Sequence, residues 1–191
     1  VNKILYIVDE RQQPHFKQVF SIIKKLGWNL DSEHIPFGFI SFSGAILSTR
    51  AGNVIKLEDL IAEAIKRVKK VINTKNPQLS TEEKNQIAHV VGIGAIKYAD
   101  LSQNRTSSYD FDWDRMLAFD GNTGPYLQYT YARIQSLIRK SKTRTDFEPT
   151  ANIILDTDTE KNLCLNLTLF PQVLIKTMEA HKPNTLTEYL F

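Results

Sequence analysis

Just after Val54-Ile55-Lys56 the hydrophobic period of this chain changes from two to 3.6 and stays helical beyond, a change that divides it into two kinds of structure. Before it, Lys3-Ile4-Leu5-Tyr6-Ile7-Val8 is a continuous apolar, β-branched run, the signature of a strand buried on both faces. The polar cluster Asp9–Gln13 ends that strand, and Pro14 suits the first turn of a helix. Phe16, Val19, Phe20, Ile23 and Leu26 then recur at helical steps until Gly27, and a second β-like segment covers Glu33–Phe42. Strand, helix, strand in that order predicts part of a βαβ unit.

After the change, Leu57, Leu60, Ile61, Ala64, Ile65, Val68 and Ile72 form one helical stripe. Ser80-Thr81-Glu82-Glu83 has the pattern of a capping box and starts a helix whose stripe is Ile87, Val90, Val91, Gly94, Ala95, Tyr98 and Leu101. Its glycines, Gly92 and Gly94, weaken a helix by about 1 kcal/mol each, so a close backbone contact is expected to offset them. Ser102–Phe111 reads as a polar loop, Asp112–Phe119 as a short helix capped by Asp112, and Asp120–Gly124 as a turn before a helix from Pro125 to about Ser141. A polar linker follows from Lys142 to Thr150, then further helices divided by Pro171 and Pro183. The expected fold class is α/β followed by all-α, with an α/β front of about 55 residues.

Composition excludes little else. With 42% hydrophobic and 24% charged residues among 191, the chain is globular in character, and no stretch approaches the roughly 20 apolar residues of a membrane helix. The lone Cys164 fits a reducing, cytoplasmic setting, and the net charge of +3 permits a nucleic-acid partner without requiring one. No signal-peptide layout is present at the start, and Val1 in place of Met points to a piece of something longer. His15, His34, His89 and His181 are scattered, so no protein-held metal is expected.

Three places carry possible chemistry. The loop Leu47–Asn53 offers the hydroxyls of Ser48 and Thr49, amides near Gly52 and the forked donors of Arg50, which suit a polyphosphate. Taken alone, a polar, Gly-bearing turn with one Arg is more often an inert connector. Gln12 and His15 follow the carboxyl end of the first strand, the ligand edge of open α/β sheets, although a solvated Gln12 and a helix-starting His15 are the plainer reading. Tyr126, Tyr129, Tyr131, Arg133, Arg139, Lys140, Lys142 and Arg144 interleave rings with cations, as base stacking and phosphate contact require, or as a core-facing helix with rim tyrosines.

Several strings taken together resemble arginyl-tRNA synthetases. These are Gly92-Ile93-Gly94-Ala95-Ile96-Lys97-Tyr98, Asp100-Leu101-Ser102-Gln103-Asn104-Arg105, Phe111-Asp112-Trp113-Asp114-Arg115-Met116-Leu117, and Asp120-Gly121-Asn122-Thr123-Gly124-Pro125-Tyr126-Leu127-Gln128-Tyr129. Ser48-Thr49-Arg50-Ala51-Gly52-Asn53 joins them, and the resemblance runs in family order from about Ile4 to Leu190. It implies the C-terminal part of a Rossmann-type class I catalytic domain (1–56), a helical connector (57–119) and an incomplete helical-bundle anticodon-binding domain (120–191).

The activity implied is ATP-dependent formation of arginyl-adenylate, with Mg2+ accompanying ATP, and transfer of arginine to the 3′ end of tRNA(Arg), activation needing bound tRNA. Catalytic roles fall on Ser48, Thr49 and Arg50, in a variant of the K-M-S-K-S loop with Ile46-Leu47 in place of its Lys-Met start. That substitution leaves one phosphate-binding lysine unassigned. Gln12 is implied for arginine, and His15, His34, Phe37, Gly38, Ser48 and Arg50 for ATP. Asn104, Arg105, Tyr126, Tyr129 and Arg133 are implied for tRNA. The H-I-G-H motif and the acidic residues that grip arginine are missing from the chain. It is therefore expected to be inactive alone and part of a monomeric cytoplasmic enzyme without membrane contact; the other possibility is a non-catalytic tRNA- or protein-binding relative.

Overall fold

The computed structural model describes residues 3–42, 45–46, 56–141 and 154–191. Strand β1 (Lys3–Asp9) leads through a 3-10 turn (Glu10–Gln12) into helix α1 (Gln13–Lys25), which returns to strand β2 (Asp31–Phe37). β1 and β2 pair in parallel, with Lys3 opposite Asp31 and Asp9 opposite Phe37. Alternation along β1 turns Tyr6 toward α1, where its ring lies 5.1 Å from Phe16 and 5.6 Å from Phe20. The expected βαβ element is therefore present.

The β-like segment Glu33–Phe42 divides into two strands belonging to different sheets. β3 (Ile40–Phe42) leaves β2 after Gly38-Phe39 and pairs in parallel with β5 (Tyr109–Phe111) and antiparallel with β4 (Ala45–Ile46). A Cβ on Gly38 would stand 2.6 Å from the Ser107 carbonyl carbon and oxygen, so only glycine lets these backbones meet. The expected polar loop before Phe111 thus contains a strand, held by the Tyr109 N–H donating to the Phe39 carbonyl at 3.0 Å.

The helical part is built on α2 (Leu57–Lys75) and α3 (Thr81–Leu101). The Ser80 hydroxyl accepts from Glu83 N–H at 3.2 Å, and the Glu83 carboxylate accepts from Ser80 N–H at 2.9 Å, completing the expected capping box. The α2 stripe buries Ala64, Val68 and Ile72 as expected. The α3 stripe is rotated from expectation: Ala88, Gly92, Ala95 and Ala99 are buried, while Ile87, Val90 and Leu101 face outward. The helices cross too closely for larger side chains, since a Cβ on Gly92 would lie 3.1 Å from the Ile65 amide nitrogen.

Val68, Ile72 and Ala88 form one core cluster, and Ala99, Phe111 and Met116 a second, joined by Phe42 and Trp113. α4 (Trp113–Met116) starts at Asp112, whose carboxylate accepts from Arg115 N–H at 2.8 Å. α5 (Gly124–Ser141) crosses the other side of α3, and a Cβ on Gly124 would lie 2.8 Å from the Gly94 carbonyl oxygen and 3.1 Å from Ala95 Cα. The close contact expected of the α3 glycines is thus made on two sides.

α6 (Asp158–Ala180) starts with a second capping box, formed by Thr157 and Glu160. It continues through Pro171, which removes a hydrogen bond but leaves the Leu167 carbonyl on a solvated turn. Pro171 therefore does not divide the helix. His181, at φ 50°, ends α6, and α7 (Pro183–Leu190) packs back on it. No helix among the described residues is long and apolar enough to cross a membrane.

Where α6 ends against β2, Glu33 pairs with Lys3 at 2.7 Å and lies 3.3 Å from His181 Nε2. Lys3 chiefly, and His181 in addition, hold the Glu33 carboxyl below its ordinary value of 4.5. The stabilisation from a lowered carboxyl is present above that value and is lost as pH falls through the folded one. The pair is half exposed, which limits its contribution to about 1 kcal/mol or less. Glu33→Gln should thus lose stability at about pH 6, with a smaller deficit at about pH 3 as the carboxyl protonates. Urea unfolding at both pH values measures this, and an equal deficit at both would refute it. Gly124→Ala should cost about 1–3 kcal/mol in the same assay, because the neighbours of its new methyl are mainly backbone. An unchanged midpoint would refute the close crossing.

Candidate functional site

The carboxyl end of the β1–β2 pair gathers several of the sequence-derived candidates. Asp9 and Phe37 end the two strands in register, and Gln12 closes the 3-10 turn that follows β1. The Asp9 carboxylate caps that turn by accepting from Arg11 N–H at 2.8 Å, and it also receives the Arg11 guanidinium at 2.7 Å. Arg11 chiefly holds the Asp9 carboxyl below its usual range. The guanidinium carbon also lies 4.2 Å from the centre of the Phe39 ring, a cation–π contact that fixes the corner after β2. The sequence reading passed over this group as a generic polar cluster. Its available signal was an Asp and an Arg two residues apart immediately after a strand.

His15, Phe16 and His34 form a column of rings: His15 meets the Phe16 ring at 5.5 Å, and His34 stacks on Phe16 at 4.7 Å. His34 Nε2 is 3.0 Å from the Val8 carbonyl, so that ring atom is engaged within the sheet. His34 faces α1, whereas Phe37, an odd number of residues further along the strand, faces the opposite side. The structure therefore does not bring His34 and Phe37 to one face. Gly38 is pressed on Ser107–Ser108, and its N–H donates to the Arg105 carbonyl at 2.9 Å.

On the Phe37 face lies a cleft of about 850 Å³ whose walls include Leu5, Ile7, Phe37, Phe39, Tyr109 and Met178. It is mostly apolar, with Asp9, Arg11, Asp100 and Arg105 at its margins. The Tyr109 hydroxyl donates to Asp100 at 3.0 Å, and burial together with that carboxylate pushes its pKa far upward, keeping it a neutral donor.

The candidates for nucleic acid separate into two groups. Tyr129 and Arg133 are exposed on α5, Tyr129 at 52%, and Tyr126 is half-buried with its ring centre 5.9 Å from that of Phe191. Asn104 closes a local turn, its side-chain oxygen accepting from the Thr106 hydroxyl at 3.2 Å. Arg105 points inward instead: its guanidinium donates to the carbonyls of Pro36, Ala180 and His181. Arg105, implied for tRNA by the resemblance, brackets β2 and the end of α6. Ser48, Thr49 and Arg50, with the rest of Leu47–Asn53, lie outside the described residues.

Residues 1–113 match the catalytic domain of the class I (R) tRNA synthetases, and residues 127–191 match the DALR anticodon binding domain. The chain is 51% identical over 192 residues to an arginine–tRNA ligase of Fusobacterium nucleatum, covering 100% of this chain and 34% of that protein. It is 44% identical to one of Laribacter hongkongensis, with the same coverage of both chains. Among solved structures, arginyl-tRNA synthetase from Plasmodium falciparum superposes with a TM-score of 0.83 at 32% identity, over 98% of this chain and 32% of that one. The Thermus thermophilus arginyl-tRNA synthetase does so at 0.83 and 25% identity, over 98% and 31%. The chain spans about a third of the length of these relatives. With a family match across the strand-bearing half and an anticodon-binding match across α5 to α7, the chain belongs to the class I (R) tRNA synthetase family.

Proposed function

We infer that this chain serves arginine–tRNA ligation: formation of arginyl-adenylate from arginine and ATP, then transfer of arginine to the 3′ end of tRNA(Arg). The observation that carries this reading is the succession, in one polypeptide, of the catalytic match and the anticodon-binding match. The parallel strand edge supports it physically, because ligands of such sheets bind at the carboxyl ends of the strands. In this reading residues 1–56 contribute to the catalytic domain, 57–119 connect, and 120–191 bind the anticodon side of tRNA.

Gln12, at that edge, offers both a donor and an acceptor to the polar groups of arginine. Phe37 supplies an apolar ring for the adenine and Gly38 sets the course of the strand end beside it, while His15 and His34 brace the same edge from the α1 side. Ser48, Thr49 and Arg50 steady the pyrophosphate as charge shifts onto it, the donors acting where charge develops. Mg2+ enters with ATP, as part of the nucleotide substrate. Tyr129 and Arg133 present a stacking face with an adjacent cation, Tyr126 packs beside it against Phe191, and Asn104 contacts tRNA from the loop before β5. The setting of the reaction is cytoplasmic.

Tyr129→Ala in this chain should weaken binding of a tRNA(Arg) transcript by roughly 5- to 150-fold, the equivalent of about 1–3 kcal/mol for one stacked base. Filter binding measures this, and equal affinity would remove Tyr129 from the interface. In an enzyme of the relatives' length that includes this chain, Arg50→Ala should slow tRNA-dependent ATP–pyrophosphate exchange about 100-fold. Its tRNA affinity should stay within about twofold. Unchanged exchange kinetics would remove the loop from the chemistry.

A further inference from the structure

Arg105 joins three segments that are remote in sequence. Its Nε donates to the His181 carbonyl at 2.9 Å and one terminal nitrogen to the Ala180 carbonyl at 3.4 Å, both at the C-terminal end of α6. The other terminal nitrogen donates to the Pro36 carbonyl in β2. The main chain of the same residue accepts from Gly38 N–H at 2.9 Å. Around it, Ser108 Oγ accepts from Phe39 N–H at 3.1 Å, and Gly38 has no space toward Ser107. The segment Pro36–Phe39 is thus gripped on several sides by the loop that carries Arg105. α6 lies in the anticodon-binding match and Pro36–Phe39 in the catalytic match.

The chemistry of the group fits this arrangement. The carbonyls that end a helix carry its partial negative charge, and a guanidinium is planar, permanently charged and able to serve several acceptors at fixed angles. Its side-chain hydrogen bonds all go to main-chain oxygens. Such bonds sense where the two backbones stand and not which side chains they bear. A displacement of the α6 terminus must therefore either carry Pro36 along or break a charge-assisted hydrogen bond. His181 Nε2 near Glu33 gives the same two elements a second, weaker tie.

We propose that Arg105 is a positioning residue that couples tRNA occupancy of the helical domain to the β2–Gly38 edge where the small substrates bind. This rests on the synthetase reading above. Lysine at this position has one nitrogen in place of a three-nitrogen fork, so it can restore part of the bracket; methionine restores none of it.

The experiment is amide hydrogen exchange on this chain, free and with saturating tRNA(Arg) transcript, for the parent, Arg105→Lys and Arg105→Met, with affinities measured in parallel. In the parent, tRNA should slow exchange at Ile35, Phe37, Gly38 and Phe39 at least threefold. Arg105→Met should bind tRNA within about twofold of the parent yet lose that response, and Arg105→Lys should keep part of it. An Arg105→Met chain with the full response would overturn the coupling. So would a large loss of affinity together with a salt dependence shallower by about one phosphate contact, which would make Arg105 a direct tRNA ligand. Parent chain that binds tRNA without altering exchange at these amides refutes the coupling alone. Parent chain that does not bind tRNA at all refutes the synthetase reading, and the coupling with it.

Discussion

The approach of neighbouring helices to α3 at backbone distance is the constraint on which the rest of the arrangement depends. A 21-residue helix is about 30 Å long, enough to run the height of a small domain, and α3 is contacted along much of that length. Gly92 and the alanines on one face admit α2, and Gly94 on another admits α5 at Gly124. Large side chains there would hold the neighbours several ångströms further out. The consequences extend to both ends of the chain. Ala99, at the C-terminal end of the same small-residue row, packs on Phe111 and Met116, which places β5 and, through it, β3. The Tyr98 hydroxyl donates to Asn122 Oδ1 at 2.5 Å and lies 3.1 Å from the Thr187 carbonyl oxygen, setting the turn before α5 and the position of α7.

Those two placements define what the molecule presents to ligands. The parallel strand pair is small, and little within it fixes its orientation relative to the helices. That orientation comes from the loop 104–109, which pairs with Phe39, closes on Gly38 and extends the Arg105 guanidinium to α6. The junction is polar and bound mainly through main-chain atoms. Hydrogen bonds to a charged group contribute about 1.5–3 kcal/mol when intact, so such a junction is firm yet can be remade after a small shift. An apolar junction of the same size would resist sliding less and would carry no directional memory of which carbonyl faced which donor.

Legibility in the sequence followed the range of the interaction. Ser80-Thr81-Glu82-Glu83 announces its capping box because all the partners lie within one turn, and the Asp112 cap and the turn before α5 are local in the same way. The strand that begins the chain and the edge bearing Gln12 were equally plain, since a continuous apolar run ended by polar residues has few other meanings. The break at Gly38 was hidden, because its cause is Ser107, and three-residue β5 has too short a pattern to stand out from a loop. The α3 stripe misled because the larger apolar residues normally mark the buried face. Here the spacing of the helices selects the small ones.

The role of Arg105 was the least legible feature, for a physical reason. Its acceptors lie 69, 75 and 76 residues away along the chain, and they are carbonyl oxygens, which every residue type possesses. No side-chain pattern at Pro36 or His181 announces that a cation will arrive. The resemblance to the synthetases assigns this arginine, between Asn104 and Thr106 in a polar loop, to tRNA. A phosphate and a helix C-terminus are, however, related targets: each presents clustered oxygens with net negative character to a forked donor. The same chemistry that made Arg105 look like a nucleic-acid ligand suits it to hold the end of α6. What distinguishes the two is which oxygens the fork reaches, and here they are main-chain carbonyls of Pro36, Ala180 and His181, brought together only by the tertiary fold.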